Sequence, residues 1–233
     1  MSQLPRIQGP EDFASAFGVS RETTDRLRLY ADLLRQWQKA VNLVAPSTLD
    51  DIWHRHFADS AQILPLAQDR PGPWLDIGSG GGFPALVVAI LSLDPTYAAV
   101  PGQPPRHLTL VESIAKKCAF LSEVARRTGV AQVVDILSVR VETLPTRDNV
   151  ALPAVISARA LAALDKLLAL SAPLFGPSTT GIFLKGQGAE TEIAEARKAW
   201  DFEVDLVPSR TDPAGRIVVI RKLAPQVRKV QWP

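Results

Sequence analysis

The chain is poor in the residues that build several common kinds of site. Its 233 residues include one cysteine, Cys118, and three histidines. A single cysteine excludes an intrachain disulfide and a cysteine-based metal cluster. The histidines, His54, His56 and His107, lack the spacing of a zinc site. We therefore predict a protein without a bound metal.

Long apolar runs are also missing from the sequence. The longest run, near residues 85–93, is far shorter than the roughly 20 residues that span a bilayer. No pattern of positive charge followed by an apolar stretch suggests a signal peptide. We expect a cytoplasmic, monomeric protein that makes no membrane contact. The net charge of +2 permits a nucleic-acid substrate without requiring one.

The first 70 residues carry helical signals. Ser20 suits a helix N-cap, and apolar residues then recur at spacings of three and four, which is typical of an amphipathic helix. These residues are Leu27, Tyr30, Leu34, Trp37 and Val41. A second helix-compatible stretch covers 49–67, and the proline- and glycine-rich segment 69–73 marks a boundary. We predict a helical extension over residues 1–70 and a second domain over 71–233.

The rest of the chain alternates between short strands and helices. The pattern predicts strands at 74–77, 108–111, 133–137, 155–158, 181–184, 202–207 and 217–221, and helices beginning near Pro84 and at 113–128, 161–170 and 189–200. Such alternation is typical of an α/β fold with a mostly parallel sheet covered on both faces. The last two strands are joined by a short turn, which permits antiparallel pairing but no crossover helix.

A glycine-rich loop, residues 78–82, follows the first strand. Strand, glycine loop and helix together are typical of a nucleoside- or phosphate-binding site. Gly78, Ser79 and Gly80 begin a G-x-G-x-G spacing, but Phe83 occupies the third glycine position of the dinucleotide fingerprint and adds bulk. A ligand without phosphates therefore fits better, and Asp76 suits a cationic amine such as that of methionine. The alternative is a purely structural glycine turn.

Three further segments end at the edge of the sheet where ligands bind. Glu112 ends the second strand and suits two ribose hydroxyls, although a solvated strand-end glutamate would look the same. Val141 and Glu142 follow the third strand and suit an adenine edge, or else begin a surface helix. Arg159 follows the fourth strand and suits a carboxylate or an RNA phosphate, or is an ordinary surface arginine.

Taken together, these residues resemble the bacterial 16S ribosomal RNA guanosine-N7 methyltransferase family, known as RsmG or GidB. The matching elements occur in the family's order between residues 37 and 186. They are Trp37 with Asn42-Leu43, His56 with Asp59-Ser60, the segment 75–84, Val111-Glu112-Ser113 with Lys116-Lys117 and Phe120-Leu121, Arg140-Val141-Glu142, Arg159-Ala160 and Lys185-Gly186. Each motif alone is weak, whereas the ordered set is specific.

The resemblance implies a class I, Rossmann-like methyltransferase fold with a helical N-terminal extension. It implies methyl transfer from S-adenosylmethionine to N7 of one guanosine in 16S rRNA of the small ribosomal subunit. The family's cofactor contacts correspond to Gly78, Phe83, Val141, Glu142 and Arg159. The chain departs from the family at Ala154, where an aspartate is usual, and in a longer loop at 94–107.

An RNA substrate would require cationic contacts. The candidates are Lys39, Arg55, His56, Arg140, Lys185 and Arg159, and His56 could equally serve packing. From residue 214 onward the chain has five basic residues and no acid, which would suit phosphate or be a solvated end. These are Arg216, Arg221, Lys222, Arg228 and Lys229. Two other functions stay open: a nucleotide-dependent oxidoreductase, and a non-catalytic rRNA-binding or ribosome-assembly protein.

Overall fold

A computed structural model describes residues 3–97, 106–146 and 152–226. Its centre is one seven-stranded sheet with the order β3-β2-β1-β4-β5-β7-β6. The strands are β1 Trp74–Ile77, β2 Leu108–Glu112, β3 Val134–Ser138, β4 Val155–Arg159, β5 Thr180–Lys185, β6 Trp200–Pro208 and β7 Arg216–Pro225. All neighbouring pairs from β3 to β5 are parallel, and β7 is antiparallel to both β5 and β6. The α/β prediction with an antiparallel last strand is confirmed.

Helices cover both faces of the sheet. They are α1 Pro10–Phe17, α2 Arg21–Gln38, α3 Asp59–Ala61, α4 Ala85–Ser92, α5 Ala115–Arg127, α6 Leu164–Ser171 and α7 Ala189–Ala196. A π-helical segment, Trp53–Ala58, leads directly into α3. Single 3-10 turns occupy Pro46–Thr48, Leu64–Ala67, Ala131–Val133, Val141–Thr146 and Ala172–Leu174. Within the described residues, no helix is long and apolar enough to cross a membrane.

Two apolar cores form on the two faces of the sheet. One contains α4 and α5 together with the N-terminal helices, so that Phe13, Leu27 and Trp53 share a continuous core with Trp74 and Phe120. The other contains α6 and α7. The N-terminal helices therefore share one core with α4, α5 and this face of the sheet. The division of the chain between residues 70 and 71 stays a prediction.

The N-terminal helix α2 begins as the sequence predicts. The Ser20 hydroxyl accepts a hydrogen bond from the Thr23 backbone N–H, which satisfies one of the free donors at the helix start. The side chain of Asp94 accepts from the Ser20 N–H, and the Tyr97 hydroxyl donates to the Phe17 carbonyl. The first part of the 94–107 loop thus packs on the N-terminal helices, and residues 98–105 lie outside the described part of the chain.

Two helices begin later than the sequence predicts, and both delays shape the site. Helix α5 starts at Ala115 rather than 113 because Ile114 is extended and its N–H donates to the Glu112 carboxylate. Ile114, the residue before the helix, is 49% exposed. Helix α6 starts at Leu164 rather than 161 because Ala160 adopts a left-handed conformation, φ 52°. Neither turn contains a glycine or proline from which it could be predicted.

Candidate active-site cleft

A cleft of about 1250 Å³ opens at the carboxyl edge of the parallel strands. Its wall includes the glycine loop, the ends of β2, β4 and β5, and the start of the Val141–Thr146 turn. The N-terminal segment 42–45 and the β6–β7 turn close it from the other side. Ligands of open α/β sheets bind at this edge, where the strand order reverses between β1 and β4. The predicted strand-end residues are therefore brought to one place.

The glycine loop is tight because side chains press on it from both sides. Gly78 has φ 70°, and a Cβ there would lie 2.6 Å from Cδ1 of Leu161. Gly82 has φ 87°, and a Cβ there would lie 2.5 Å from the Tyr30 hydroxyl. That hydroxyl donates to the Gly81 carbonyl. Only glycine combines these left-handed conformations with such close approach, so a helix of the N-terminal extension fixes the loop.

Glu112 ties the glycine loop to the end of β2. One carboxylate oxygen accepts from the Gly80 N–H at 3.0 Å, and the other accepts from the Ile114 N–H at 2.8 Å. The side chain is buried but still borders the cleft. Each carboxylate oxygen can accept a second hydrogen bond. Glu112 can therefore hold the loop and receive two hydroxyl groups at the same time.

Asp76 lies in β1 beneath the loop and is not part of the cleft wall. Its Oδ1 accepts from the Ser157 hydroxyl at 2.5 Å, and that hydroxyl in turn accepts from the Trp74 indole N–H. Its Oδ2 is buried without a partner among the described residues. Burial raises the pKa of Asp76 from 3.8 to about 6, although the Ser157 hydrogen bond opposes the shift. Because this carboxylate is shielded from water and has an unpartnered oxygen, a nearby hydrogen-bond donor or cation would stabilise its charged form.

The third segment of the cleft is the start of the Val141–Thr146 turn. Val141 is largely buried, whereas Arg140 and Glu142 are exposed, and all three border the cleft. An apolar side chain beside an acidic one suits the face and the amino edge of a purine. Ser79 also borders the cleft and donates its hydroxyl to the Asp76 carbonyl.

Arg159 reaches from β4 to the N-terminal extension. One guanidinium nitrogen donates to the Arg55 carbonyl at 3.0 Å and contacts the Asp59 carboxylate at 3.3 Å. The guanidinium carbon also lies 4.9 Å from the ring centre of Phe83. Arg55 belongs to the π-helical segment, and π-helical turns are frequent at functional sites. The arginine is thus held as part of the cleft floor and is not an ordinary surface residue.

His56 supports this arrangement in its neutral form. Its Nδ1 accepts from the second guanidinium nitrogen of Arg159 at 2.7 Å. Since arginine only donates, the proton sits on Nε2, which contacts the Thr48 hydroxyl at 2.8 Å. Burial, together with the positive charges of Arg159 and Arg55, lowers the pKa of His56 from 6.5 to about 3. The ring also stacks on Phe83, with centres 4.9 Å apart, so packing is one of its roles.

The remaining RNA candidates divide into engaged and free cations. Lys185 is buried, donating to the Ala162 carbonyl and pairing with Glu192 at 2.7 Å. Arg55 lies 3.6 Å from Asp212. Lys39 is exposed but outside the cleft wall. Arg140 borders the cleft with no acidic partner among the described residues. The basic residues of β7 that are described, Arg216, Arg221 and Lys222, pair with Glu190, Asp205 and Glu203.

Sequence reasoning missed one cation of the cleft. Lys117, in the first turn of α5, borders the cleft and has no acidic partner among the described residues. The Lys116-Lys117 pair was visible in the sequence, but the helix face that points to the cleft was not. Arg228 and Lys229 of the basic C-terminal segment lie outside the described residues.

Ala154 lies at the opposite edge of the sheet from the cleft. Its N–H donates to the Pro73 carbonyl, and its own carbonyl accepts from the Thr180 N–H. Five residues separate it from Arg159, which is roughly 16 Å of strand at about 3.3 Å per residue. The missing aspartate therefore leaves the wall of the cleft untouched.

Solved structures resemble this fold at low sequence identity. The O-methyltransferase TomG from Streptomyces achromogenes superimposes with a TM-score of 0.57 at 15% identity, covering 90% of this chain and 93% of that one. A methyltransferase from Geobacter sulfurreducens also gives 0.57 at 11% identity, covering 94% and 99%. These likenesses confirm the class I methyltransferase fold.

Sequence comparison gives the family. The model of the GidB family, described as rRNA small subunit methyltransferase G, matches residues 23–212. The ribosomal RNA small subunit methyltransferase G of Parvibaculum lavamentivorans is 45% identical over 94% of this chain and 92% of its own length. That of Rhodospirillum centenum is 46% identical over 92% and 91%. The chain belongs to the rRNA small subunit methyltransferase G family.

Proposed function

We propose that this methyltransferase transfers a methyl group from S-adenosylmethionine to N7 of one guanosine in 16S rRNA of the small ribosomal subunit. The methyltransferase class and the cofactor follow from family membership. The observation that carries the proposal is the Glu112 carboxylate at the cleft wall, hydrogen-bonded to the glycine loop. Nothing in the comparisons supports an oxidoreductase or a non-catalytic assembly protein.

The cleft fits S-adenosylmethionine in several independent respects. Glu112 can accept from two ribose hydroxyls, and Val141 with Glu142 can border the adenine. The unpartnered Oδ2 of Asp76 favours the positive amino group of the methionine moiety. We propose that the cofactor is held by direct contact with Gly78, Ser79, Gly80, Phe83, Glu112, Val141, Glu142 and Arg159. Asp76, the remaining predicted cofactor residue, lies beneath the loop and acts through the charge of its carboxylate. Phe83 acts mainly through Arg159, whose guanidinium lies over its ring.

The reaction needs no general base from the protein. When bound, the cofactor supplies a methyl group on a positively charged sulfur. Guanine N7 has an in-plane lone pair and no proton, so its electrons form the new N–C bond while the S–C bond breaks and the sulfur keeps that pair. The positive charge passes from sulfur to the guanine ring. The residues of the cleft therefore act by aligning the partners and by tolerating the moving charge.

RNA recognition is proposed for the cations that border or flank the cleft. Arg140 and Lys117 have no acidic partner among the described residues, which leaves them available to phosphate. Lys39 and Arg55 lie toward the N-terminal side. His56 and Lys185 are buried in their own contacts, so any effect they have on RNA is through the shape of the cleft. A cytoplasmic location, a monomeric state and the division at residue 70 stay predictions.

Methyl transfer from labelled cofactor tests the proposal. Small subunits are taken from cells that lack this protein, and naked 16S rRNA and large subunits serve as parallel acceptors. We expect stoichiometric labelling of one site in small subunits or in naked 16S rRNA, and none in large subunits. Labelling of large subunits alone, or of protein rather than RNA, would contradict the proposal. Calorimetry with S-adenosylhomocysteine measures cofactor binding separately.

A further inference from the structure

The sheet order divides the cleft into two halves. β1 with the glycine loop lies between β2 and β4. On the β2–β3 side lie Glu112 and Val141, the residues proposed to hold ribose and adenine. On the β4–β5 side the wall is formed by residues 159–163 and the ends of β5 and β7. Ribose and adenine are proposed to lie in the first half, with the methionine end of the cofactor at the border beside Gly78 and Arg159. The rest of the second half is therefore the space that is left for the acceptor.

An exposed leucine stands at the border of the two halves. Leu161 is 38% exposed and borders the cleft. Its Cδ1 lies 2.6 Å from where a Cβ on Gly78 would be, so the side chain rests against the first glycine of the loop. Of the three large apolar residues exposed in the described chain, Ile114 lies in the first half, Leu161 faces the second, and Leu152 lies outside the cleft.

The turn that carries Leu161 is strained and firmly held. Ala160 has φ 52°, a conformation that costs an alanine about 1–2 kcal/mol. Lys185 donates to the Ala162 carbonyl at 2.6 Å, and Glu192 accepts from the Leu164 N–H at 2.7 Å. Lys185 and Glu192 also pair with each other. Strain persists only where surrounding contacts enforce it, and it concentrates at functional sites.

We propose that Leu161 is the apolar surface on which the acceptor base rests during methyl transfer. This inference depends on the proposed function and specifies how its substrate is held. The faces of a purine are apolar and its edges are polar, so an apolar side chain beside the donor can hold one face of the base. Leu161 offers such a side chain next to the glycine loop. The Lys185–Glu192 pair, in which Lys185 is largely buried and Glu192 partly exposed, fixes the position of the turn that carries Leu161. Lys185 is therefore not free for phosphate.

Leucine-to-alanine substitutions at two positions test the proposal. Leu161→Ala removes the surface, and Leu161→Met restores an apolar side chain. Leu152→Ala is the matched control, because Leu152 is 58% exposed and lies just before the same strand at the opposite edge. For each variant, kcat/KM for small subunits is measured at saturating cofactor, and the affinity for S-adenosylhomocysteine is measured by calorimetry.

We expect Leu161→Ala to lower kcat/KM for subunits about 10-fold, as expected when a leucine loses most of its buried contact. The kcat/KM of Leu161→Met should stay within about 3-fold of the native value, and that of Leu152→Ala should be unchanged. The affinity for S-adenosylhomocysteine should stay within about 2-fold in all three variants. A loss of cofactor affinity equal to the loss of rate would overturn the inference, because Leu161 would then belong to the cofactor half. An unchanged rate in Leu161→Ala would also overturn it. If the native protein transfers no labelled methyl group to small subunits, the proposed function is wrong, and this outcome is distinct from a failure of the inference about Leu161.

Discussion

The Asp76→Asn substitution separates the contribution of Asp76 to cofactor binding from its contribution to folding stability. Asp76 is 1% exposed, and its Oδ2 has no partner among the described residues. Asparagine keeps an oxygen for the Ser157 hydroxyl and places an uncharged amide where the free oxygen lies. The substitution therefore removes a buried charge and keeps the hydrogen bond from Ser157. We expect a more stable protein that binds its cofactor more weakly.

The magnitude follows from the pKa of Asp76, which burial raises from 3.8 to about 6. A raised pKa means that the folded state holds the proton more tightly, so stability is full below pH 3.8 and is lost as pH rises through 6. Since a difference of one pKa unit corresponds to about 1.4 kcal/mol, burying the Asp76 carboxylate costs about 3 kcal/mol at pH 7.5 and about 2 kcal/mol at pH 5.0. The advantage of Asp76→Asn should therefore grow by about 1 kcal/mol between these pH values, or roughly 2–4 °C in Tm.

Thermal unfolding at pH 5.0 and 7.5, with and without S-adenosylhomocysteine, measures both effects. Asp32→Asn is the control, because Asp32 is exposed on α2 and its side chain is 77% accessible. Without ligand, Asp76→Asn should unfold at a higher temperature than the native protein, with the larger gain at pH 7.5. The ligand-induced rise in Tm should be smaller than in the native protein. A variant that is less stable at pH 7.5, or whose gain does not depend on pH, would refute the reasoning.

Three further results are expected. Glu112→Gln should weaken S-adenosylhomocysteine binding about 10-fold or more by calorimetry, because an amide N–H₂ replaces one of the two oxygens and cannot accept from the backbone N–H of Gly80 or Ile114 that it then faces; unchanged affinity would contradict this role. His56→Gln should lose less stability than the native protein between pH 7 and pH 5. The pKa of His56 is about 3 in the folded protein, so the native fold loses stability as pH falls below 6.5, the usual pKa of histidine. An equal loss of unfolding free energy in both proteins, measured by urea unfolding at the two pH values, would count against it. Lys117→Ala and Arg140→Ala should each reduce the salt slope of rRNA binding by about 1 in filter-binding assays; an unaltered slope would remove them from the interface.

The fold was readable from the sequence because its signals are local. Alternating apolar segments predict the seven strands, and Ser20 predicts the start of α2, as the structure confirms. The glycine spacing predicts a loop, since left-handed turns of this kind need glycine. Ends of parallel strands meet at one edge, so the strand-end positions of Glu112 and Arg159 were enough to place both at one cleft.

The unpredicted features depend on contacts that are distant in the chain. The left-handed turn at Ala160 has no sequence signature, because it is held by Lys185 and Glu192 from β5 and α7. Likewise, the sequence does not indicate that the π-helical segment Trp53–Ala58 contributes to the cleft. That role follows from the hydrogen bond that Arg159 donates to the carbonyl of Arg55. Such pairs join residues about 25 to 100 positions apart, and neither periodicity nor spacing reports on them.

The most direct test of the account is the chemical identity of the methylated nucleoside. Small subunits from cells lacking the protein are incubated with it and with labelled S-adenosylmethionine, and the 16S rRNA is digested and mapped by mass spectrometry. The account predicts a single 7-methylguanosine at one position. A methyl group on another atom of guanine, on another base or on a ribose hydroxyl would contradict it. An exocyclic amine, a protonated ring nitrogen or a hydroxyl also loses a proton on methylation and would need a base that the cleft was not assigned.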